Sequence, residues 1–416
     1  VAALAAKAAP KIDAELPALL DVYKDLHANP ELSNQEVRTA KKLAEWMRQA
    51  GFEVAPEVGG TGVVCVLKNG EGKRVMVRTD MDALPVTENT GLDYASRVQT
   101  RNAEGQLVGV MHACGHDMHM TCWLGAARTL AAMRGQWSGT LVFVAQPAEE
   151  LGTGARAMLA DGLFDRFGKP DVGLALHCDS FTAAGDIAHT EGYAMANVDS
   201  VDVTIKGKGG HGAIPHATID PIVVAARFIL DVQTIVSREI DPLDSAVITV
   251  GSVHGGTKHN IVPPEVKLQL TVRSFQDSTR EHLLRGIERV AAAAAAAAGA
   301  PAPEVVVRPE FTPAMYNDPE LLRATVEALQ EVLGAERCKP MAPLMGGEDY
   351  SFFSRAGVPC AMLRLGTVEP ERVERFRAGK EILPSLHSDA YHPAPEPTIR
   401  TGVTALVASV LRIVGS

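Results

Sequence analysis

Basic residues are in short supply. The 416-residue chain sets 40 Lys and Arg against 50 Asp and Glu, a formal net charge of -10 with a pI near 5.7. A nucleic-acid surface needs a concentrated basic patch to neutralise phosphates, so no nucleic-acid partner is expected. Long apolar runs are missing too. None approaches the ~20 residues that span a bilayer, and a soluble chain without a membrane partner is expected. The six cysteines, Cys65, Cys114, Cys122, Cys178, Cys338 and Cys360, are widely scattered, which argues against a small disulfide-stapled scaffold. Cys65 and Cys360 lie in apolar runs and read as buried thiols. No G-x-S-x-G nucleophile elbow and no phosphate-cradling glycine loop occurs, so serine-hydrolase and nucleotide-dependent chemistries find no support.

What is present is ordinary for a globular enzyme: 46% hydrophobic and 22% charged residues. Cores stop growing at roughly 250–300 residues, so this length predicts two or three domains. The chain opens at Val1 with the alanine-rich VAALAAKAAP and shows no signal peptide. A start behind a removed export signal leaves both cytoplasmic and periplasmic locations open.

Along the first part, strand and helix signals alternate. Ser33 and Glu36 have capping-box spacing before a helix through KKLAEWMRQA, which Gly51 can end. TGVVCVLK, RVMVRTD, LVFVAQ and VGLALH read as strands, the last ending at His177, with helices after HACGHDMHM and around GARAMLADG. This alternation predicts an α/β domain with a mostly parallel sheet covered by helices. Residues 198–308 read differently, as strand, helix, strand, strand, helix, strand, the βαββαβ order of a ferredoxin-like domain. The polyalanine run belongs to its second helix, stopped by Gly299 and Pro301. Helix and strand signals resume afterwards, so residues 1–197 and 309–416 are expected to form one discontinuous domain with 198–308 inserted as a lid. Inserted domains commonly frame a ligand cleft.

Ligands of open α/β sheets bind beyond the carboxyl ends of the strands. Asp80 and Asp82 follow RVMVR, Glu149 and Glu150 follow LVFVAQ, and His177 ends VGLAL. The segment His112-Ala-Cys114-Gly115-His116-Asp117-Met-His119 adds a thiol and imidazoles. A thiolate and an imidazole two residues apart can bind one borderline-soft cation or sit between two. Gly115 permits the tight backbone this spacing needs. Asp80, Asp82, Asp117 and His119 are expected to orient the ligands from behind. Of the adjacent carboxylates, one can bind metal while the other takes a proton from the attacking water.

The stretches HANPELSNQE, VRTDMDALPV, MHACGHDMH, QPAEELGTGA, GKGGHGAIPH, NIVPPE, MGGEDYSFF and LHSDAYH span nearly the whole chain in order. Together they resemble the aminoacylase, hippurate hydrolase and auxin-conjugate amidohydrolase branch of the co-catalytic metallopeptidases, which also include carboxypeptidases and dipeptidases. The resemblance implies a two-metal catalytic domain with a ferredoxin-like lid. It implies metal ligands at Cys114, His116, Glu150, His177 and His387, a general base at Glu149, and a lid histidine at His211 that approaches the substrate carbonyl. Asn260, Arg273 and His216 match lid positions for substrate binding. The last ligand motif departs from the usual His-Ser/Asn-Pro-x-Phe and reads His387-Ser-Asp389-Ala-Tyr391-His392, with His387 favoured over His392. Extra residues in RVQTRNAEGQLVG and VEPERVERFRAGKE lengthen loops near the motifs, so substrate specificity does not carry over.

The resulting expectation is hydrolysis of the amide bond of a small N-acyl amino acid or related conjugate by metal-activated water. A carboxypeptidase or dipeptidase of the same architecture is the rival reading, and a non-catalytic metal-binding protein a more distant one. Two divalent ions are expected, zinc or manganese, with cobalt and nickel also compatible with the donors. An exposed lid edge strand offers a pairing edge for a homodimer.

Overall fold

A computed structural model describes residues 2–415. The chain divides into two compact units. One comprises Val1–Gly192, Tyr316–Ala342 and Phe352–Ser416, the other Tyr193–Met315 and Pro343–Ser351.

The first unit is built on an eight-stranded sheet. Its order runs Glu53–Ala55, Val63–Asn69, Gly139–Gln146, Arg74–Asp80, Val172–Ala183, Cys360–Val368, Ile187–His189 and Cys338–Pro340. The four strands from Gly139–Gln146 to Cys360–Val368 are mutually parallel, as expected from the alternating pattern. They carry near-continuous buried residues because helices cover both faces. Strand Val172–Ala183 runs six residues past the expected end, so His177 lies mid-strand. The loop RVQTRNAEGQLVG forms a short hairpin, Gln99–Arg101 with Leu107–Gly109, and the second long insertion forms the helix Pro370–Arg377.

Helix Pro395–Val414 meets the length and apolarity of a membrane span, which the sequence reading did not pick out. Its apolar residues are spent inside the unit: Ile399, Val403, Leu406 and Val410 are buried against helices Ala2–Ala28, His116–Ala132 and Pro319–Leu333.

Helix Val37–Gln49 buries Ala40, Leu43, Ala44 and Met47 at helical spacing and ends before Gly51, whose φ is +87°. Its N-terminus corrects the capping-box expectation. The Glu31 carboxylate accepts the amide N–H groups of Arg38 and Thr39, at 3.0 and 2.8 Å. Ser33 and Glu36 are therefore released from capping, and both turn inward.

The second unit holds the βαββαβ order: Asn197–Lys206, helix Pro221–Thr234, Ala246–His254, Glu265–Ser274, helix Asp277–Ala297 and Glu304–Val307. The four strands form one antiparallel sheet in the order Ala246–His254, Glu265–Ser274, Asn197–Lys206, Glu304–Val307. Strict alternation puts Val201, Val203, Ile205, Leu268, Leu270 and Val272 in the core of the unit, packed with Phe228, Leu283 and Ile287 from the helices. The polyalanine run is helical, as expected, and Ala291, Ala294 and Ala295 face this core.

Candidate active site

Five side chains from four segments of the first unit converge. Cys114 and His116 sit at the start of helix His116–Ala132, and Glu150 follows strand Gly139–Gln146. His177 comes from strand Val172–Ala183, one strand further along the sheet beyond Arg74–Asp80, and His387 from the loop before the last helix. The donor atoms of Cys114, His116 and His177 lie within 4.8 Å of one another, and so do those of Cys114, Glu150 and His387. Two triads thus share one sulfur, the arrangement needed for a thiolate to sit between two cations.

His116 and His177 are each turned by the nitrogen they do not offer, and His387 is placed by its backbone. His116 donates Nδ1–H to the backbone carbonyl of Asp82 at 2.7 Å, leaving Nε2 on the inside, 3.7 Å from Glu150 Oε1. His177 donates Nδ1–H to the carbonyl of Cys178 at 2.8 Å, which directs Nε2 to Cys114 Sγ at 3.7 Å. His387 has a left-handed backbone, φ +67°, and its amide is pinned to the Ala113 carbonyl. Its Nε2 is 3.6 Å from Glu150 Oε1, whereas His392 Nδ1 lies against Ala390 O. The geometry therefore places His387, rather than His392, in the cluster.

His116 Nε2 and Glu150 Oε1 are both buried without a hydrogen-bond partner. Buried polar atoms are nearly always satisfied, and two orphaned donors of metal-ligand type facing each other fit a cation between them. The electrostatics agree. Burial pushes the Glu150 carboxyl up to about 7 and the Cys114 thiol well above its ordinary value. Burial works against charge on His116, yet the Asp80 and Asp82 carboxylates prevail and push it up to about 10. His177 differs: burial and then Arg364 on the adjacent strand hold it down, keeping its imidazole neutral.

The expected orienting residues divide. Asp82 accepts the amide N–H groups of Glu149 and Glu150 through its two carboxylate oxygens, at 3.1 and 3.0 Å. Asp80 accepts Arg78 Nη1–H at 2.8 Å and His119 Nδ1–H at 2.7 Å. His119 Nε2 in turn accepts the amide N–H of Cys178, so neither nitrogen of His119 is available to a metal, although it stands close enough to be counted with Asp80 and His116. Asp117 is a correction: its carboxylate serves Met118 N–H and a buried histidine, His27, that the sequence reading did not mark. Among the described residues, buried His112 has neither ring nitrogen hydrogen-bonded and joins none of these donor groups.

Sequence reasoning also missed Ser33, which donates to Asp82 Oδ2 at 2.6 Å, and Glu36, which accepts from Ala148 N–H at 2.9 Å. Both lie in HANPELSNQE, whose polar spacing looked like helix capping.

In the second unit, His211 pairs with Ile261 across a two-residue ladder, and Gly212 N–H donates to the carbonyl of Asn260. His211 Nδ1 accepts Ala213 N–H at 3.0 Å, so the proton sits on the exposed Nε2. Exposed His216 follows in the turn Pro215–Ala217. Gly212 and Ile261 border a surface cavity of about 510 Å³ that Lys258 and His259 also line. Arg273 is not brought to these residues. It sits eight positions along strand Glu265–Ser274 from the end nearest His211, about 26 Å at strand spacing, and donates to the Met345 carbonyl at 2.6 Å.

Against known proteins, the sequence profile of peptidase family M20/M25/M40 matches residues 76–378. N-acetylcysteine deacetylase of Bacillus subtilis is 37% identical over 359 residues, covering 84% of this chain and 88% of that protein. The chain belongs to this peptidase family. Hippurate hydrolase of Campylobacter jejuni is a further relative, 36% identical over 348 residues, covering 81% of this chain and 87% of that one. Among solved structures, a dinuclear metal-binding peptidase of the same family from Bacillus subtilis superposes with a TM-score of 0.77. It shares 30% identity and covers 96% of this chain and 99% of its own. The resemblance drawn from the motifs is therefore borne out at the level of the family.

Proposed function

We propose that this chain is a metal-dependent amidohydrolase that cleaves the amide bond of an N-acyl amino acid or a related small conjugate. The observation that carries the reading is the pair of donor triads sharing Cys114, with His116 Nε2 and Glu150 Oε1 buried and unsatisfied between them. Relatives named for deacetylation of N-acetylcysteine and hydrolysis of hippurate support the amide class.

Cys114, His116, Glu150, His177 and His387 hold two divalent cations, zinc or manganese first among those the donors suit. Such ions, when bound, lower the pKa of water and polarise a carbonyl. Glu149 is the general base: it takes the proton of the attacking water and returns it to the leaving amine. Its main-chain N–H is held by Asp82, which fixes where its carboxylate starts from. His211 offers Nε2–H to the oxygen that becomes negative, a donor whose loss costs about 3 kcal/mol in comparable sites. Asn260 and His216 bind the rest of the substrate, and residues 198–308 act as the lid that carries them; Arg273, held by the Met345 carbonyl, takes no part.

A homodimer through the lid fits the same unit. The edge strand Ala246–His254 exposes Val247 and Val253, while helix Pro221–Thr234 exposes Ile222, Val223 and Leu230. An uncovered edge beside apolar side chains suits a second copy.

The test is a panel of N-acetyl and N-benzoyl amino acids and dipeptides on metal-loaded and chelated protein. Metal-dependent turnover of the acyl compounds is expected. Turnover of dipeptides alone would favour the carboxypeptidase or dipeptidase reading, and no metal-dependent hydrolysis of any member would sink the proposal.

A further inference from the structure

Glu36 is buried completely, and no cation among the described residues pairs with it. A carboxylate in that position is expensive to keep, so a structural role alone explains it poorly. It does not cap the helix it precedes: its side chain makes no capping hydrogen bond, and Glu31 serves those amides. One of its oxygens accepts Thr61 Oγ1–H at 2.7 Å, and the other accepts the amide N–H of Ala148 at 2.9 Å.

Ala148 has a φ of +48°, a left-handed conformation that alanine takes only where its surroundings hold it. It directly precedes Glu149 and Glu150. Three consecutive amide N–H groups, those of Ala148, Glu149 and Glu150, therefore run into two buried carboxylates, Glu36 and Asp82. Glu36 stands at the head of helix Val37–Gln49 and Asp82 just past strand Arg74–Asp80, so both anchors belong to rigid elements.

We infer that Glu36 is a positioning residue of the active site: by holding the Ala148 peptide in its left-handed turn, it sets where the adjacent carboxylates Glu149 and Glu150 point. The inference rests on the roles given to Glu149 and Glu150 above. Without Glu36 the Ala148 peptide is free to rotate toward an ordinary conformation. Glu150 Oε1 then leaves its place between His116 Nε2 and His387 Nε2, at 3.7 and 3.6 Å, and Glu149 leaves its own.

The experiment compares Glu36→Ala, Glu36→Gln and Thr61→Val with wild type, each loaded with cobalt(II) alone and read by visible absorption, then assayed for kcat and KM on an N-acyl amino acid. Losing an orienting partner of a metal site typically costs 10–100-fold in affinity or activity. Glu36→Ala is expected to lower kcat by about that much with KM within about twofold, and to displace the cobalt spectrum. Glu36→Gln keeps an acceptor for Ala148 N–H but a neutral one, roughly half as strong, and should fall between, with Thr61→Val nearest wild type. A wild-type kcat and cobalt spectrum in folded, metal-saturated Glu36→Ala overturns the inference. Should that variant not fold, the same result in Glu36→Gln overturns it. If wild type itself shows no metal-dependent hydrolysis, the functional reading fails, while the cobalt spectra still report whether Glu36 places Glu150.

Discussion

Asp82 holds His116 from one side and the Glu149–Glu150 turn from the other. Its carbonyl takes His116 Nδ1–H at 2.7 Å, and its carboxylate takes two consecutive amide N–H groups. Both carboxylate oxygens are engaged as acceptors, so the isosteric Asp82→Asn puts an NH2 group against an N–H. An unmade buried hydrogen bond of this kind costs about 1–3 kcal/mol. Asp82→Asn should therefore bind metal at least tenfold more weakly in a chelator competition and lose kcat in proportion. Wild-type affinity in this variant would show that Asp82 does not organise the site.

Metal loading should expel protons. Cys114 and His116 are held protonated near neutral pH, the thiol mainly by burial and His116 at about 10, while burial brings Glu150 up to about 7, where it is partly protonated. A cation can bind these atoms only as the protons leave. Calorimetric titration of the metal-free protein with zinc, repeated in buffers of different ionisation heat, is expected to show net proton release and an affinity that rises steeply between pH 6 and 8. Binding without proton release would mean that other atoms take the metal.

The residues legible in the sequence were those whose chemistry is carried by short-range spacing. Cys114 and His116, two apart at a helix start, and Glu149 with Glu150 just after a strand needed no long-range knowledge. The βαββαβ order was legible because strict alternation and long apolar helices encode it locally. Ser33 and Glu36 were not. Their spacing satisfies a helix-capping rule, and only contacts across 49 and 112 residues reveal that they serve Asp82 and Ala148 instead. Asp117 failed in the opposite direction, since its place inside a ligand motif hid its partner His27, 90 residues away.

Gly115 tests how tightly the ligand turn is built. Its φ is +81°, and a Cβ there would meet Cys178 Sγ at 2.9 Å and Cys178 Cβ at 3.1 Å. A left-handed alanine costs about 1–2 kcal/mol before any contact is counted. Because Gly115 joins Cys114 to His116, relief of that contact has to move one of these two proposed ligands. Gly115→Ala is expected to lower the melting temperature and to weaken metal binding by tenfold or more. A variant that loses stability while binding metal as tightly as wild type would refute the link between this turn and the ligands.

His27 should make stability depend on pH in a defined direction. It donates Nδ1–H to Asp117 at 2.6 Å and Nε2–H to Glu88 at 3.0 Å, inside a shell formed with Tyr23 and Tyr94. Burial opposes its charge, but the Asp117 and Glu88 carboxylates outweigh burial and push it up to about 9. Both carboxylates are held below their ordinary range and stay ionised across neutral pH, and both tyrosines are raised above theirs. A group whose pKa is higher folded than unfolded stabilises the fold fully below the unfolded value. That contribution fades as pH climbs through the folded value. His27 with its two carboxylates therefore contributes about 3 kcal/mol below pH 6.5, and this is lost by about pH 9. Urea unfolding of metal-saturated wild type and His27→Gln, at pH 6 and pH 9.5, should show a stability difference that shrinks at the higher pH. A difference that stays constant, or grows, would mean that His27 is neutral in the folded chain and that its contacts with Asp117 and Glu88 are not ionic.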